Sequence, residues 1–303
     1  MVLFHHIEQA KNALGIANIY HLSIVKHAGR LGVGLFFVLS GFLITFLLLQ
    51  EKTNHGSIST KMFYMRRVFR IWPIYFLIIG LSYFVFPYVD LLAYPGANAN
   101  VFADYGKRLF FLSLVLPNYA FVLYDLPYWC AQAWSIGVEE QFYYLWPWLI
   151  RYPKKSLPIF LLFLALTSGL LYLGLQTKDA NPVQQIQIIG TFIGQFRIQI
   201  MAVGGFFAYL VFSENSKVLD VLFRREIQIG VYLFTVALFL SGIHFPAFME
   251  AYSLLFGYFI LNLSSNPRSI INFEGKFLNY SGKVSYGLYL YHVVALVLVL
   301  NIL

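Results

Sequence analysis

The stretch RLGVGLFFVLSGFLITFLLLQ, residues 30–50, decides the fold class of this 303-residue chain. No charged residue occurs from Leu31 to Leu49. A helix of this length, rising about 1.5 Å per residue, crosses a hydrocarbon layer of about 30 Å. Its run of Phe and Leu is interrupted by small residues, which favour close helix packing or, alternatively, line a ligand passage: Gly32, Gly34, Ser40, Gly41 and Thr45. The stretch therefore predicts a transmembrane helix with a small-residue face.

The composition extends this prediction to the whole chain. Hydrophobic residues make up 59% of it and charged residues 11%, whereas soluble domains carry about 25% charged residues. We therefore expect an all-α, polytopic transmembrane helix bundle in one membrane domain, 1–303. Residues 1–6, MVLFHH, are predicted to be a helix stub, the end of an incomplete first helix, and residues 8–28 and 51–65 to be loops. About eight full spans are predicted, at 31–49, 66–86, 130–150, 157–175, 187–212, 227–243, 246–263 and 284–303.

The net charge of +8 is explained by membrane orientation. Loops near 51–70, 151–156, 213–226 and 264–283 hold fourteen of the 21 lysines and arginines, which places these loops in the cytoplasm. Nucleic-acid binding is therefore rejected. The single cysteine, Cys130, excludes an internal disulfide and a cysteine-based metal cluster, and no metal site is predicted.

Three polar side chains are predicted to lie at a similar depth near the middle of the membrane: Ser40, Glu139 and His292. An acid within a span indicates function by default and is expected to face the bundle interior. The alternative is that Glu139 and Glu140 are solvated at the interface. For His292 the alternative is a hydrogen bond between packed helices.

An arginine group lies at the entrance of the second span. Arg67 and Arg70 are three residues apart and share a helix face, with Arg66 beside them. Guanidinium groups bind phosphate oxygens in pairs, so this end of the helix is a candidate seat for the phosphates of a nucleotide ligand. Ordinary orientation charges that meet anionic lipid are the alternative.

Four ordered motifs carry a family resemblance over nearly the whole chain: GVGLFFVLSGFLIT at 32–45, FYMRRVFRIWPIY at 63–75, WSIGVEEQFYYLWP at 134–147 and SYGLYLYH at 285–292. Together they resemble the acyltransferase type 3 family of integral membrane acyltransferases. The resemblance implies an enzyme of the bacterial inner membrane that moves an acyl group, most often acetyl, from cytoplasmic coenzyme A to a hydroxyl of a cell-surface or exported carbohydrate. It also implies functional roles for His5, Arg67, Arg70 and Glu139.

The resemblance and the physical reading together predict a mechanism. The phosphates of acetyl-coenzyme A rest on Arg66, Arg67 and Arg70, and its flexible arm extends past Ser40. A neutral histidine accepts the proton of the sugar hydroxyl as it attacks the acyl carbon. His5 and His292 are both candidates for this base, with His5 preferred. Glu139 orients the histidine or stabilises its charged form.

The chain departs from the family pattern at both ends. The family has an arginine upstream of the first-helix histidine, at a position that would precede Met1, and one more helix after the span that holds His292. We therefore expect a fragment, a misplaced start or a member that lacks part of the site.

Other activities were weighed against acyl transfer. A transporter or flippase for a lipid-linked saccharide or acylated product uses buried charges and small residues equally well. The separate class of membrane-bound O-acyltransferases also relies on an intramembrane histidine, but the arginine pair and WSIGVEEQFYY favour the first family. No GxSxG, HExxH or phosphate-loop motif occurs. Membrane lipid, the acyl donor, the carbohydrate and a separate acceptor-delivering protein are the expected partners.

Overall fold

A computed structural model describes residues 1–94, 104–151, 162–164, 166–169, 190, 197–213, 216–243 and 248–302. All regular secondary structure in these ranges is helical, which confirms the all-α class. The α-helices are α1 (Val2–Ala13), α2 (Ser23–His55), α3 (Thr60–Phe84), α4 (Tyr105–Ser113), α5 (Pro117–Tyr124), α6 (Trp134–Arg151), α7 (Gln199–Phe212), α8 (Ser216–Leu222), α9 (Arg225–Ser241), α10 (Phe248–Ser265) and α11 (Lys276–Ile302). Short 3-10 turns lie at Phe86–Tyr88, Asp90–Leu92 and Tyr128–Ala133.

Within the described ranges, three segments are long and apolar enough to cross a membrane: Ser23–His55, Thr60–Tyr88 and Lys276–Ile302. Helix α7 is a shorter apolar helix. The predicted span at 157–175 and the first part of the one at 187–212 lie mostly outside the described residues. The full number of eight spans therefore stays a prediction.

The helix predicted from residues 30–50 is α2, which has 33 residues and extends beyond its apolar part at both ends. Leu39, Leu43 and Leu47 follow one another at every fourth position and are 38%, 49% and 50% exposed, so they form a lipid-facing side. The helix ends at Gly56, whose φ of 70° is left-handed and therefore suits a residue without a side chain.

Two predicted loops are shorter than expected. The polar segment 8–28 continues α1 to Ala13, and α2 begins at Ser23. Only residues 56–59 separate α2 from α3, where residues 51–65 were expected to form a loop. Side chains lose hydrophobicity where a helix leaves the membrane, but the backbone hydrogen bonds of the helix continue. The predicted helices were therefore too short at these ends.

The chain divides into two compact units that alternate along the sequence, and one of the boundaries between them falls within α6. The first unit contains α1, α2, the end of α6 and α7 to α10. In its core, α2 crosses α7 so closely that a Cβ atom at Gly41 would collide with the backbone oxygen of Met201, and one at Gly204 with that of Val38. The small-residue face of α2 is thus used for helix packing at Gly41, as the first of the two interpretations predicted.

Two successive hydrogen bonds lie beside this helix crossing in the core of the first unit. The Thr45 hydroxyl donates to the carbonyl oxygen of Gly41 at 2.7 Å, and the indole Nε1 of Trp146 donates to the Thr45 Oγ1, also at 2.7 Å. Thr45 is fully buried and Trp146 is 1% exposed. These bonds satisfy polar groups that have no water to bind.

The second unit contains α3 to α5, the start of α6 and α11. Tyrosine hydroxyls connect its helices by donating to backbone oxygens: Tyr75 to Leu112 at 3.0 Å, Tyr64 to Tyr144 at 2.8 Å and Tyr286 to Ile71 at 3.3 Å. The buried Arg108 donates from Nε to the carbonyl of Tyr124, at the end of α5, at 2.9 Å. Polar side chains therefore hold α4 and α5 within this unit.

We expect Gly41→Ala to destabilise the protein, because its methyl group meets backbone atoms that no side-chain rotation can move away. The cost of such overpacking is about 1–3 kcal/mol. Thermal unfolding in detergent, followed by intrinsic fluorescence, measures it. Gly80→Ala in α3 is the matched control, because a Cβ atom there meets nothing within 4 Å. Equal unfolding temperatures of the two variants would contradict the close crossing of α2 and α7.

Candidate functional site

The arginine motif lies near the start of α3, with one member held against aromatic rings. The guanidinium carbon of Arg67 lies 5.3 Å from the ring centre of Phe63 and 5.7 Å from that of Tyr143. Such contacts stabilise a cation by about 0.5–2 kcal/mol. Arg67 is half-buried, whereas Arg66 and Arg70 are exposed. The motif therefore combines one fixed cation with two accessible ones.

Glu139 on α6 lies close to this fixed cation. It is 2% exposed, and its Oε1 accepts a hydrogen bond from the Tyr143 hydroxyl at 3.0 Å. Arg67 interacts electrostatically with both Tyr143 and Glu139. The alternative in which Glu139 is merely solvated is wrong, because a carboxylate this deeply buried has left the solvent. Two members of the predicted site, Arg67 and Glu139, are thus brought together by Tyr143, which the sequence analysis did not select.

The surroundings of Arg67 retain unused hydrogen-bonding atoms. Within the described ranges, the buried Nε of Arg67 and Oε1 of Glu140 have no hydrogen-bond partner. Trp72 lies beside Glu140, and its buried indole Nε1 lies outside hydrogen-bonding geometry as well. Native proteins leave few buried polar atoms unpaired, and each of them needs an explanation. A polar ligand that enters this part of the second unit would supply partners.

His292 on α11 is connected to the start of α6 through Tyr289. Its Nδ1 donates to the backbone oxygen of Tyr289 at 2.6 Å, and the imidazole is 8% exposed. The Tyr289 hydroxyl lies 2.8 Å from Ser135 Oγ and donates to the Gln132 backbone oxygen at 3.0 Å. The bond at Nδ1 remains within α11, so it is not the hydrogen bond between packed helices that the alternative expected of His292.

His5 on α1 is enclosed on several sides within the first unit. Its Nδ1 lies 2.9 Å from the backbone oxygen of Val25 on α2. A Cβ atom at Gly29 would lie 2.6 Å from the imidazole Cδ2, so the ring packs directly on the α2 backbone. Two further rings are adjacent, with centroid distances of 5.6 Å to Tyr20 and 5.2 Å to His6.

The bond to Val25 decides which nitrogen of His5 carries the proton. A carbonyl oxygen only accepts, so Nδ1 must donate its hydrogen, which leaves the lone pair of a neutral imidazole on Nε2. His292 follows the same rule, because its Nδ1 also donates to a carbonyl oxygen. Each histidine thus presents Nε2 as a proton acceptor.

Ser40 is half-buried on α2 and does not join His5. His5 packs at Gly29, which lies eleven residues before Ser40, or about 16 Å along the helix. Ser40 and His5 therefore lie at different levels of the first unit, and the predicted path of the donor arm past Ser40 stays a prediction. The remaining candidates, Arg66, Arg67, Arg70, Glu139 and His292, belong to the second unit.

Four residues of the second unit were missed by the sequence analysis: Phe63, Ser135, Tyr143 and Tyr289. Helical spacing carried a signal for three of them. Ser135 and Tyr143 stand four residues before and after Glu139 on α6, so all three share one helix face. Phe63 stands four residues before Arg67 on α3, where an aromatic ring reaches a guanidinium group. Tyr289 had no such signal, because its contact with Ser135 joins residues distant in sequence.

Comparison with known proteins places these motifs in a family. The family described as an acyltransferase domain matches residues 1–303. The peptidoglycan O-acetyltransferase OatA of Listeria monocytogenes is 28% identical over 90% of this chain. YrhL of Bacillus subtilis, provisionally named a peptidoglycan O-acetyltransferase, is 33% identical over 42% of the chain, and a provisionally named O-acetyltransferase of Staphylococcus aureus strain COL is 34% identical over 44%. No solved structure matches the chain.

These relatives are longer than the matched region. The alignment covers 46% of the Listeria protein, 20% of the Bacillus protein and 22% of the Staphylococcus protein. The chain therefore spans less than half the length of the curated relatives that it matches.

We expect His5 to carry its proton on Nδ1 in the folded protein, because this atom faces the Val25 carbonyl. Nitrogen NMR of histidine-labelled protein in mildly alkaline detergent solution measures the tautomer, and the spectrum of His5→Gln assigns the signal. Gly29→Ala should alter this signal, because the added methyl group displaces the imidazole. Gly230→Ala is the control, since a Cβ atom there meets nothing within 4 Å. A His5 signal protonated on Nε2 would contradict the arrangement.

Proposed function

Because this chain belongs to the acyltransferase domain family, we propose that it moves an acetyl group from acetyl-coenzyme A to a hydroxyl of a cell-envelope carbohydrate. The names of its relatives favour peptidoglycan as the acceptor. One observation supports this function most strongly, namely that Arg67 is held on two aromatic rings next to the buried Glu139. A cation held in one orientation, beside a buried acid and unpaired polar atoms, suits an anionic ligand. It suits less well the alternative in which the arginines are orientation charges that meet anionic lipid.

The donor is proposed to bind through the arginine group. Arg66 and Arg70 are exposed, and Arg67 adds a cation whose orientation is fixed. A guanidinium group presents several N–H donors in one plane and binds phosphate in a bidentate manner. The unpaired Nε of Arg67 is one such donor. Acetyl-coenzyme A carries the phosphates that match this set.

The reaction needs a base for the acceptor hydroxyl. In the proposed step, His5 Nε2 takes the hydroxyl proton, the oxygen attacks the thioester carbonyl carbon, and the carbon–sulfur bond breaks to release coenzyme A. His292, whose Nε2 is also an acceptor, is the second candidate for the base. Glu139 is proposed to stabilise positive charge in its surroundings, because its carboxylate is buried and already held by Tyr143.

The membrane arrangement follows from the loop charges. We place the arginine end of α3 at the cytoplasmic face of a bacterial inner membrane, where acetyl-coenzyme A is made, and the acceptor on the opposite side. The apolar segments beyond the three long helices are proposed to complete eight spans. A separate protein that delivers the acceptor is also part of the proposal.

Substitutions at the proposed donor site and at the proposed base should affect two different quantities, the affinity for acetyl-coenzyme A and the rate of acetyl transfer. Arg67→Ala removes charged hydrogen bonds that contribute about 1.5–3 kcal/mol, so we expect acetyl-coenzyme A to bind about 10- to 100-fold more weakly. His5→Ala should leave this binding unchanged and lower acetyl transfer at least about 100-fold, because general base catalysis contributes 10²–10⁴-fold. Titration of acetyl-coenzyme A in detergent and transfer of labelled acetyl groups to soluble peptidoglycan fragments measure the two effects.

The exposed Lys61 in the first turn of α3 provides a matched control. Lys61→Ala removes a cation from the same helix and should change neither constant more than about twofold, as exposed charges contribute little. Tight binding by Arg67→Ala would contradict the donor site. Wild-type transfer by His5→Ala together with loss of transfer by His292→Ala would assign the base to His292. Movement of a lipid-linked saccharide without acetyl transfer would favour the flippase.

A further inference from the structure

We propose that Glu8 is a positioning residue that fixes the loop 14–22 against α1 and thereby holds Tyr20 against the imidazole of His5. This inference rests on the proposed role of His5 as the base. It adds a residue that the family motifs quoted above do not contain.

The carboxylate of Glu8 is buried and uses both oxygens. Glu8 is 6% exposed, Oε1 accepts from Lys11 Nζ at 2.8 Å, and Oε2 accepts from the backbone N–H of Ile19 at 2.7 Å. A buried carboxylate is costly unless charged and hydrogen-bonding partners compensate it. The Lys11 ammonium group and the Ile19 amide lower the pKa of Glu8, so the carboxylate remains ionised near neutral pH. The Lys11 ammonium group thus balances the negative charge of the carboxylate, and the Ile19 amide connects the loop to that carboxylate.

Hydrogen bonds within the loop connect its residues, so a bond that fixes Ile19 also restrains its neighbours. Gly15 begins it with a φ of 71°, which suits glycine. The Asn18 side chain donates from Nδ2 to the backbone oxygen of Ile16 at 2.8 Å and accepts from the backbone N–H of Tyr20 at 3.0 Å. Ile19, the residue that Glu8 binds, lies between Asn18 and Tyr20. The position of Tyr20 therefore depends on the bond from Glu8.

Tyr20 forms one side of the enclosure around His5. The rings lie 5.6 Å apart at an angle of 56°. Val25 fixes Nδ1, and Gly29 leaves space for the ring on α2. These two contacts restrain the imidazole from the α2 side, so Tyr20 is the restraint that the loop contributes. A misplacement of about 1 Å in a reacting group can cost 100-fold in rate, so a residue that controls this restraint affects turnover without touching substrate.

A set of substitutions at Glu8 separates positioning from charge. Glu8→Ala removes both bonds, and Glu8→Asp shortens the side chain so that it cannot reach Ile19 while Lys11 remains. Glu8→Gln keeps an oxygen that accepts from Ile19 and loses the charge. We expect Glu8→Ala and Glu8→Asp to lower kcat about 10- to 100-fold with an unchanged KM for acetyl-coenzyme A. Glu8→Gln should retain at least half of kcat, and Lys11→Ala should stay within about twofold.

Two further measurements keep the test decisive. Tyr20→Ala removes the ring without changing the Glu8 bonds and should lower kcat by the same factor, even if Glu8→Ala does not fold. The histidine nitrogen NMR signal of His5 should change in Glu8→Ala and not in Glu8→Gln. Wild-type kcat in Glu8→Asp and Tyr20→Ala would overturn the proposal, as would a Glu8→Gln variant as impaired as Glu8→Ala.

The outcome can be separated from failure of the proposed function. If His5→Ala retains wild-type transfer, His5 is not the base and the proposed function must be revised. The NMR comparison of Glu8→Ala and Glu8→Gln still decides whether Glu8 controls the surroundings of His5. If His5→Ala is inactive while Glu8→Asp and Tyr20→Ala have wild-type kcat, the base role stands and the positioning role is wrong.

Discussion

The structure depends on one constraint: a polar group that leaves water must find its partner within the protein. In hydrocarbon an unsatisfied polar group costs several kcal/mol, so polar side chains are placed where partners exist. The described residues show three solutions. Thr45 binds the backbone of its own helix and also accepts from Trp146, Arg67 lies on aromatic rings beside an acid, and Glu8 combines a lysine with a backbone amide. Two of the buried polar atoms that lack a hydrogen-bond partner, the Nε of Arg67 and Oε1 of Glu140, lie at the proposed donor site.

Hydrophobicity and motifs predicted much of the fold and could not predict helix ends. The apolar run of residues 30–50 identified α2 because no other structure allows such a sequence to satisfy its backbone in lipid. It did not reveal that α2 continues to His55, since helical hydrogen bonds persist after the side chains become polar. The loop after α1 was also out of reach, because its shape depends on the contact between Glu8 and Ile19, and neither residue type signals the other.

Within the candidate site, the sequence carried more information about residues on one helix than about contacts between different helices. The i, i+3 spacing correctly grouped Arg67 with Arg70 on one helix, and the pattern around Glu139 correctly indicated a buried acid. The sequence did not indicate which turn of α2 meets α1, because predicted depth in a membrane does not specify contacts between helices. That contact is set by Gly29, where the imidazole needs the space that a side chain would occupy. Glycines in α2 therefore have distinct roles, with Gly41 allowing a backbone crossing and Gly29 accommodating a ring.

The two histidines cannot be ranked by tautomer, because both donate from Nδ1 to a carbonyl oxygen. Their accessibility differs. His292 is 8% exposed inside the second unit, whereas His5 is half-buried beside a surface loop whose residues 15–17 are exposed. A base for an acceptor carbohydrate must meet a hydrophilic substrate that cannot dissolve in the helix interior. Partial exposure next to an ordered loop fits this requirement, because the ring is restrained by its neighbours and still half-buried, not fully enclosed. The same reasoning favours His292 for a supporting role, in which burial and the contact with Tyr289 are advantages.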